Sequence, residues 1–142
     1  MRIQIKVIIT LLLVFGKSYA QQDTIRVLFV GNSYTYYSNL PKMVSELSKN
    51  TSTFIQTEMS AKGGARLKQH YNQEGVLKTK KLIKNKKFDI VVIQEQSMGA
   101  LTSKKEFLLY SKKLSNYIKS YNAIPYFFQL GLEKKHPKHK TT

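Results

Sequence analysis

The 142-residue chain contains no cysteine. That absence excludes disulfides, thiolate metal sites and lipid attachment through a cysteine, so stability must come from packing alone. Acidic residues are scarce as well: eight Asp and Glu stand against 24 Lys and Arg, a formal charge of +16. Only two of the acids are aspartates, Asp23 and Asp89. His136 and His139 have no thiolate partner and only Glu133 as an acid nearby in sequence, too few ligands for a metal pair, so no metal and no cofactor is expected. Long hydrophobic runs are missing too. The apolar stretch at residues 7–15 falls well short of the roughly 20 residues that span a bilayer.

What that stretch does resemble is a leader. Arg2 and Lys6 precede it and Ser18-Tyr19-Ala20, a small-x-small site, follows it, so residues 1–20 read as a secretory signal peptide cleaved after Ala20. The expected address is secreted or periplasmic, with no stable membrane span. Three cations and no acid lie in this leader, which leaves the mature chain strongly basic. Such a field favours anionic polysaccharide, acidic headgroups or nucleic acid. The lysines are spread over several segments without a nucleic-acid motif and sit behind an export signal, so no nucleic-acid partner is expected.

The remaining length suits one domain, residues 21–130, followed by a basic tail at 131–142 that loses all apolar period. Residues 24–30 read as a buried strand ending at Gly31-Asn32-Ser33, where the pattern hands over to a helix. Taken alone, Gly-Asn-Ser is an ordinary turn. Ser38 and Asn39 offer a cap before Pro41, and Leu40, Met43, Val44 and Leu47 recur at helical spacing, which predicts an amphipathic helix with these four inward. Residues 53–59 read as a second strand, and Gly63-Gly64 marks a turn.

A helix is expected over residues 75–87, with Val76, Leu77 and Ile83 inward and its lysines solvated. The β-branched run at 88–93 predicts a central parallel strand that ends at Gln94-Glu95-Gln96-Ser97. Ser103 and Glu106 are spaced as a capping box for a helix reaching Tyr121, and residues 124–130 read as a fourth strand. Strand and helix therefore alternate, which predicts an α/β fold: a three-layer α/β/α sandwich on a parallel sheet.

In this order the three polar turns resemble the SGNH (GDSL-like) hydrolase superfamily. The blocks are Val30-Gly31-Asn32-Ser33-Tyr34-Thr35-Tyr36-Tyr37, Gly63-Gly64-Ala65-Arg66-Leu67 and Ile93-Gln94-Glu95-Gln96-Ser97, and they look like a secreted bacterial branch with mostly unassigned substrates. Each falls at the carboxyl end of an expected parallel strand, where open α/β sheets gather their ligands. The resemblance implies a flavodoxin-like SGNH fold and ester or acyl hydrolysis, with Ser33 as nucleophile. It also implies oxyanion donors from the backbone N–H of Ser33, the backbone N–H of Gly64 and a side-chain amide. The usual Asn of the third block is absent, and Gln96, or failing that Gln94, stands in its place.

The general base is harder to place. The resemblance implies an Asp-x-x-His block after a fifth strand, which this sequence does not contain, so the domain is expected to be incomplete, ended early by truncation or frameshift. Glu133 and His136 have acid-x-x-His spacing but lie in the Lys-rich tail; His70, beside the Gly turn, is the other imidazole. The expected function is an exported serine esterase, with a small-molecule or carbohydrate ester as substrate and carbohydrate deacetylation as one form, weak or inactive for want of a base. The alternative is a non-catalytic module that holds anionic glycans on its basic surface.

Overall fold

The computed structural model describes residues 22–128. Its four strands are β1 (Asp23–Gly31), β2 (Thr53–Ala61), β3 (Ile90–Ile93) and β4 (Ile124–Phe127), all parallel, in the order β2-β1-β3-β4. Six helices connect them: α1 (Ser33–Tyr36), α2 (Leu40–Ser48), α3 (Leu67–Asn72), α4 (Thr79–Asn85), α5 (Gly99–Thr102) and α6 (Lys104–Lys119). The α/β sandwich on a parallel sheet anticipated from the alternating pattern is present.

The strand order decides which layer each helix occupies. The chain steps one way from β1 to β2 and the other way from β2 to β3 and β4, so right-handed crossovers put α1 and α2 on one face and α3 to α6 on the other. Alternation along β1 and β3 then sends Leu28, Val30, Val91 and Ile93 into one buried cluster with Leu67, Ile83, Leu114 and Ile118. This is the main core. Val27 and Phe29 are buried on the opposite side of β1. Beyond β1 that face is more open, and Ile124 and Tyr126 of β4 are more than half exposed.

Several local expectations are corrected. Met43 and Leu47 of α2 point to solvent, because the positions against the sheet are taken by Pro41 and Ser48. Ser48 Oγ donates to Ser45 O at 2.8 Å and accepts from Ile55 N at 2.9 Å, and Thr57 Oγ1 donates to Pro41 O at 2.9 Å. These polar ties to β2 set the rotation of the helix in place of the apolar stripe. The residue before α2, Asn39, is left-handed and makes no side-chain cap.

The helix expected over residues 75–87 is confined to α4. Gln73 and Gly75 both have positive φ, at 58° and 63°, which turns the chain and leaves Val76 exposed while Leu77 and Ile83 stay buried as expected. The capping box at Ser103 does not form: its side chain makes no cap bond, and Glu106 turns instead to Lys68 and Arg66. The short helices α3 and α5 had no signal strong enough to anticipate them. Residues 1–20, the last residues of the expected fourth strand, and the basic tail with Glu133, His136 and His139 lie outside the described residues.

Candidate active site

Gly31, the last residue of β1, has no room for a side chain. A Cβ there would run into Thr35 Oγ1 and sit 2.8 Å from Gln94 Oε1. Those two groups are bonded to each other, Thr35 Oγ1 donating to Gln94 Oε1 at 2.8 Å inside the protein. The need for glycine here is thus one of close approach between β1, α1 and the end of β3.

Asn32 follows and is 2% exposed. Its Oδ1 accepts from Tyr34 N at 3.2 Å and so caps α1, while its Nδ2 donates to Glu95 O at 3.2 Å and, more loosely, to Ala65 O at 3.5 Å. One side chain therefore joins the loops after β1, β2 and β3. Asn32 O accepts from Thr35 N at 2.9 Å. Because C=O and N–H point oppositely across a trans peptide, that bond turns the Ser33 N–H out of α1, away from the helix body. Ser33 itself is half-buried.

Behind Gly31 lies His70, which is fully buried. Its Nε2 is 2.9 Å from Gly31 O and its Nδ1 is 2.7 Å from Thr79 Oγ1, which in turn is 2.8 Å from Ser60 Oγ. Burial pushes its pKa down to about 4, against the opposing pull of the Gly31 bond. The ring is neutral and both nitrogens are engaged. His70 is thereby removed as a free base, and it is the only histidine among the described residues.

The second loop carries Gly63 and Gly64. Gly64 has φ of +67° with open space around it, and Gly63 lies against the Tyr36 hydroxyl. Left-handed backbone at Gly64 closes the turn in which Ala65 N donates to Lys62 O at 3.0 Å. The third loop is braced by Glu95, whose carboxylate is largely buried. Oε1 accepts from Gln96 N at 2.9 Å and pairs with Arg66 Nε at 3.4 Å, and Oε2 accepts from Leu67 N at 3.3 Å, at the start of α3. Arg66 continues to Glu106 at 3.3 Å. A chain of alternating charges thus ties the second loop to the third and to α6.

The two glutamines of the third block part company. Gln94 is 2% exposed and committed to Thr35, with its Nε2 buried and without a hydrogen-bond partner among the described residues. Gln96 is half-buried; its Oε1 accepts from Met98 N at 3.1 Å and its Nε2 donates to Ser97 Oγ at 3.3 Å. Of the residues singled out in the sequence, Ser33 at the first position of α1 and Gly64 and Gln96 on loops all follow the carboxyl ends of their strands. Glu133 and His136 lie outside the described residues. Reading residue types missed Asn32 as the tie, Glu95 as the brace and the Ser60-Thr79-His70 chain, since each is an ordinary polar residue until the fold brings its partners in.

A candidate SGNH hydrolase from Slackia heliotrinireducens has a similar solved structure, with a TM-score of 0.66 and 32% identity over 74% of this chain and 55% of that one. The chain is SGNH-like. This SGNH-like chain also shares its fold with a DUF4886 family protein from Bacteroides uniformis, at 20% identity and a TM-score of 0.59, over 74% of this chain and 49% of that one. A more distant likeness is to the YxiM protein of Bacillus subtilis, at 17% identity and a TM-score of 0.51, over 74% of this chain and 32% of that one. The chain spans about half the length of the first two relatives, and about a third of the third. No protein-family model matches the sequence, and no curated protein matches it.

Proposed function

We propose that this SGNH-like domain holds a serine site for ester hydrolysis, acting outside the cytoplasm on an acylated small molecule or carbohydrate. The observation that carries the reading is the Asn32 tie, which sets Ser33 on a turn joined to both other loops, with its amide turned out of α1. In this scheme Ser33 Oγ attacks the ester carbonyl, its proton passing to a base. The oxyanion is met by Ser33 N–H, Gly64 N–H and the Gln96 side-chain amide, whose plane is fixed by the bond from Met98 N. The C–O bond then breaks, the alcohol leaves with a proton, and water hydrolyses the acyl-serine.

His70 is spoken for, so the base falls to the Glu133 and His136 pair suggested by spacing, or is missing. In the latter case only the residual catalysis of an oxyanion site is expected. Turnover of a short-chain activated ester by the full chain and by Ser33→Ala tests the reading. A rate abolished by the substitution supports it, and equal rates remove Ser33 from the chemistry.

A second reading, a module for anionic glycans, has its own observation. Lys80 and Lys113 both lie over the Tyr71 ring, at 4.5 and 5.6 Å from its centre, flanked by Tyr117 and Tyr110, and neither makes a salt bridge among the described residues. Two like charges held at one aromatic surface favour an anion between them. Retention on a sulfated polysaccharide that persists in Ser33→Ala but drops in Lys80→Ala/Lys113→Ala supports this reading. Retention indifferent to both lysines ends it.

A further inference from the structure

Buried histidines with two engaged nitrogens carry directional information. Gly31 O is an acceptor only, so His70 Nε2 must be the protonated nitrogen in the 2.9 Å contact. The ring being neutral, Nδ1 is then an acceptor, Thr79 Oγ1 must donate to it, and Ser60 Oγ must donate to Thr79. Every proton in the chain from Ser60 to Gly31 points the same way. The groups that bond the ring, from β1 and α4, are uncharged, and Ser60 of β2 reaches it only through Thr79.

Gly31 O accepts a second bond, from Lys62 N at 3.4 Å. The Gly31–Asn32 peptide plane is thus gripped from two sides, and the next plane, Asn32–Ser33, is held by Thr35 N. Since consecutive planes share Cα atoms, turning the first swings the second, and with it the Ser33 amide.

We propose that His70 is a positioning residue of the Ser33 site: as the neutral Nε2–H tautomer it clamps the Gly31 carbonyl and so fixes the direction of the Ser33 N–H. The assignment of a role in catalysis rests on the hydrolase reading above, whereas the clamp itself does not. Its logic is that a donor at Nε2 matters for the turn and an acceptor at Nδ1 matters for keeping that donor in place.

Substitutions separate the two nitrogens. Glutamine brings an amide nitrogen to the region of Nε2, and asparagine, one methylene shorter, reaches only the region of Nδ1. In the full 15N-labelled chain, a long-range proton–nitrogen spectrum of the imidazole is expected to give the neutral Nε2–H tautomer between about pH 8 and pH 5. The Nδ1–H tautomer, or an imidazolium at about pH 6, overturns the proposal.

His70→Gln is expected to keep the amide shifts of Asn32, Ser33 and Thr35 near those of the wild type. Labelling of Ser33 by a fluorophosphonate should stay within about threefold. His70→Asn should displace those shifts and slow labelling by about tenfold or more, as a small misplacement at a reacting centre does. Equal effects of the two substitutions overturn the clamp. Where His70→Asn does not fold, Thr79→Val removes the donor to Nδ1, together with the acceptor of Ser60 Oγ, while leaving the imidazole in place, and should mix the tautomers and shift Ser33 N; an unchanged ring and amide count against the proposal. If the wild type is not labelled at all, the hydrolase reading fails, while the tautomer and the amide shifts still decide the clamp.

Discussion

Asn32 Nδ2 donates to the backbone oxygen of Glu95 at 3.2 Å, across 63 residues of sequence and from one strand end to the next. The bond lies where substrates of open α/β sheets bind, and it joins the turn that carries Ser33 to the loop that carries Gln96. Asn32→Ala deletes this bond, the weaker one to Ala65 O and the cap on Tyr34 N together. Leaving buried acceptors unpaired and a helix uncapped is expected to cost about 2–4 kcal/mol. Urea unfolding followed by circular dichroism measures it. Asn32→Asp keeps the cap acceptor but has no proton to give Glu95 O, so it should recover little; full recovery would assign the effect to the cap alone.

Gly31→Ala tests the close approach. The added methyl enters the space of Thr35 Oγ1 and Gln94 Oε1, both fixed in a buried bond, so the strand end must move or the bond must break. Overpacking of this kind costs about 1–3 kcal/mol. Removing the obstacle should relieve part of it. In a double-mutant cycle, Gly31→Ala/Thr35→Ala is expected to be less destabilised than the sum of the single changes, with a coupling of at least about 0.5 kcal/mol. Strict additivity would place the strain elsewhere.

How much of this was legible beforehand follows from what each residue needs to know. The strands were readable because continuous runs such as Ile90–Ile93 have few other uses than a sheet covered on both faces, and the three polar turns could be ordered once the strands were placed. Ser33, Gly64 and Gln96 could therefore be placed after the carboxyl ends of β1, β2 and β3. The rotation of α2 was not readable, since it depends on Ser48 and Thr57 bonding across to backbone that the sequence places elsewhere. The division of labour between Gln94 and Gln96 was likewise hidden: two identical side chains two positions apart differ only in that one meets Thr35. A lone His70 beside a Gly turn reads more readily as a hydrogen-bonding residue than as a base, but only the fold reveals that Gly31 and Thr79 are the partners that use both its nitrogens.

Acid should weaken the fold through His70. An unfolded histidine titrates near 6.5 and folded His70 near about 4. Above pH 6.5 neither state binds the proton, so there is no difference between them. As the pH falls through that window the unfolded chain takes up the proton and the folded one does not, so stability drops until the folded value is reached, by at most about 3 kcal/mol. Carboxylates add their own slope, so the comparison is with His70→Gln. The difference in unfolding free energy between the wild type and this variant should shift in the variant's favour by about 2–3 kcal/mol from pH 7.5 to about pH 4.5. A difference that does not change with pH would mean that His70 takes up its proton as readily in the fold as in the unfolded chain.

Glu95 makes the sharpest case for charge over shape. Its carboxylate is 8% exposed and receives three donors, Arg66 Nε, Leu67 N and Gln96 N, on two oxygens. Glu95→Gln preserves the volume but turns one oxygen into an amide that can only donate. Whichever way the new side chain lies, it faces either Leu67 N or the Arg66 and Gln96 pair with the wrong polarity, and Arg66 loses the partner that offsets its burial. Breaking a buried pair from one side costs about 3–5 kcal/mol, but Arg66 is about a third exposed and keeps Glu106, so a smaller loss, about 2–3 kcal/mol, is expected. The loss should fall on the second and third loops first. Amide exchange at Leu67 and Gln96 is expected to accelerate by more than the global loss of stability explains, while Leu28 in the centre of β1 follows the global change alone. Uniform acceleration would mean that Glu95 acts on the whole sheet rather than on the two loops it joins.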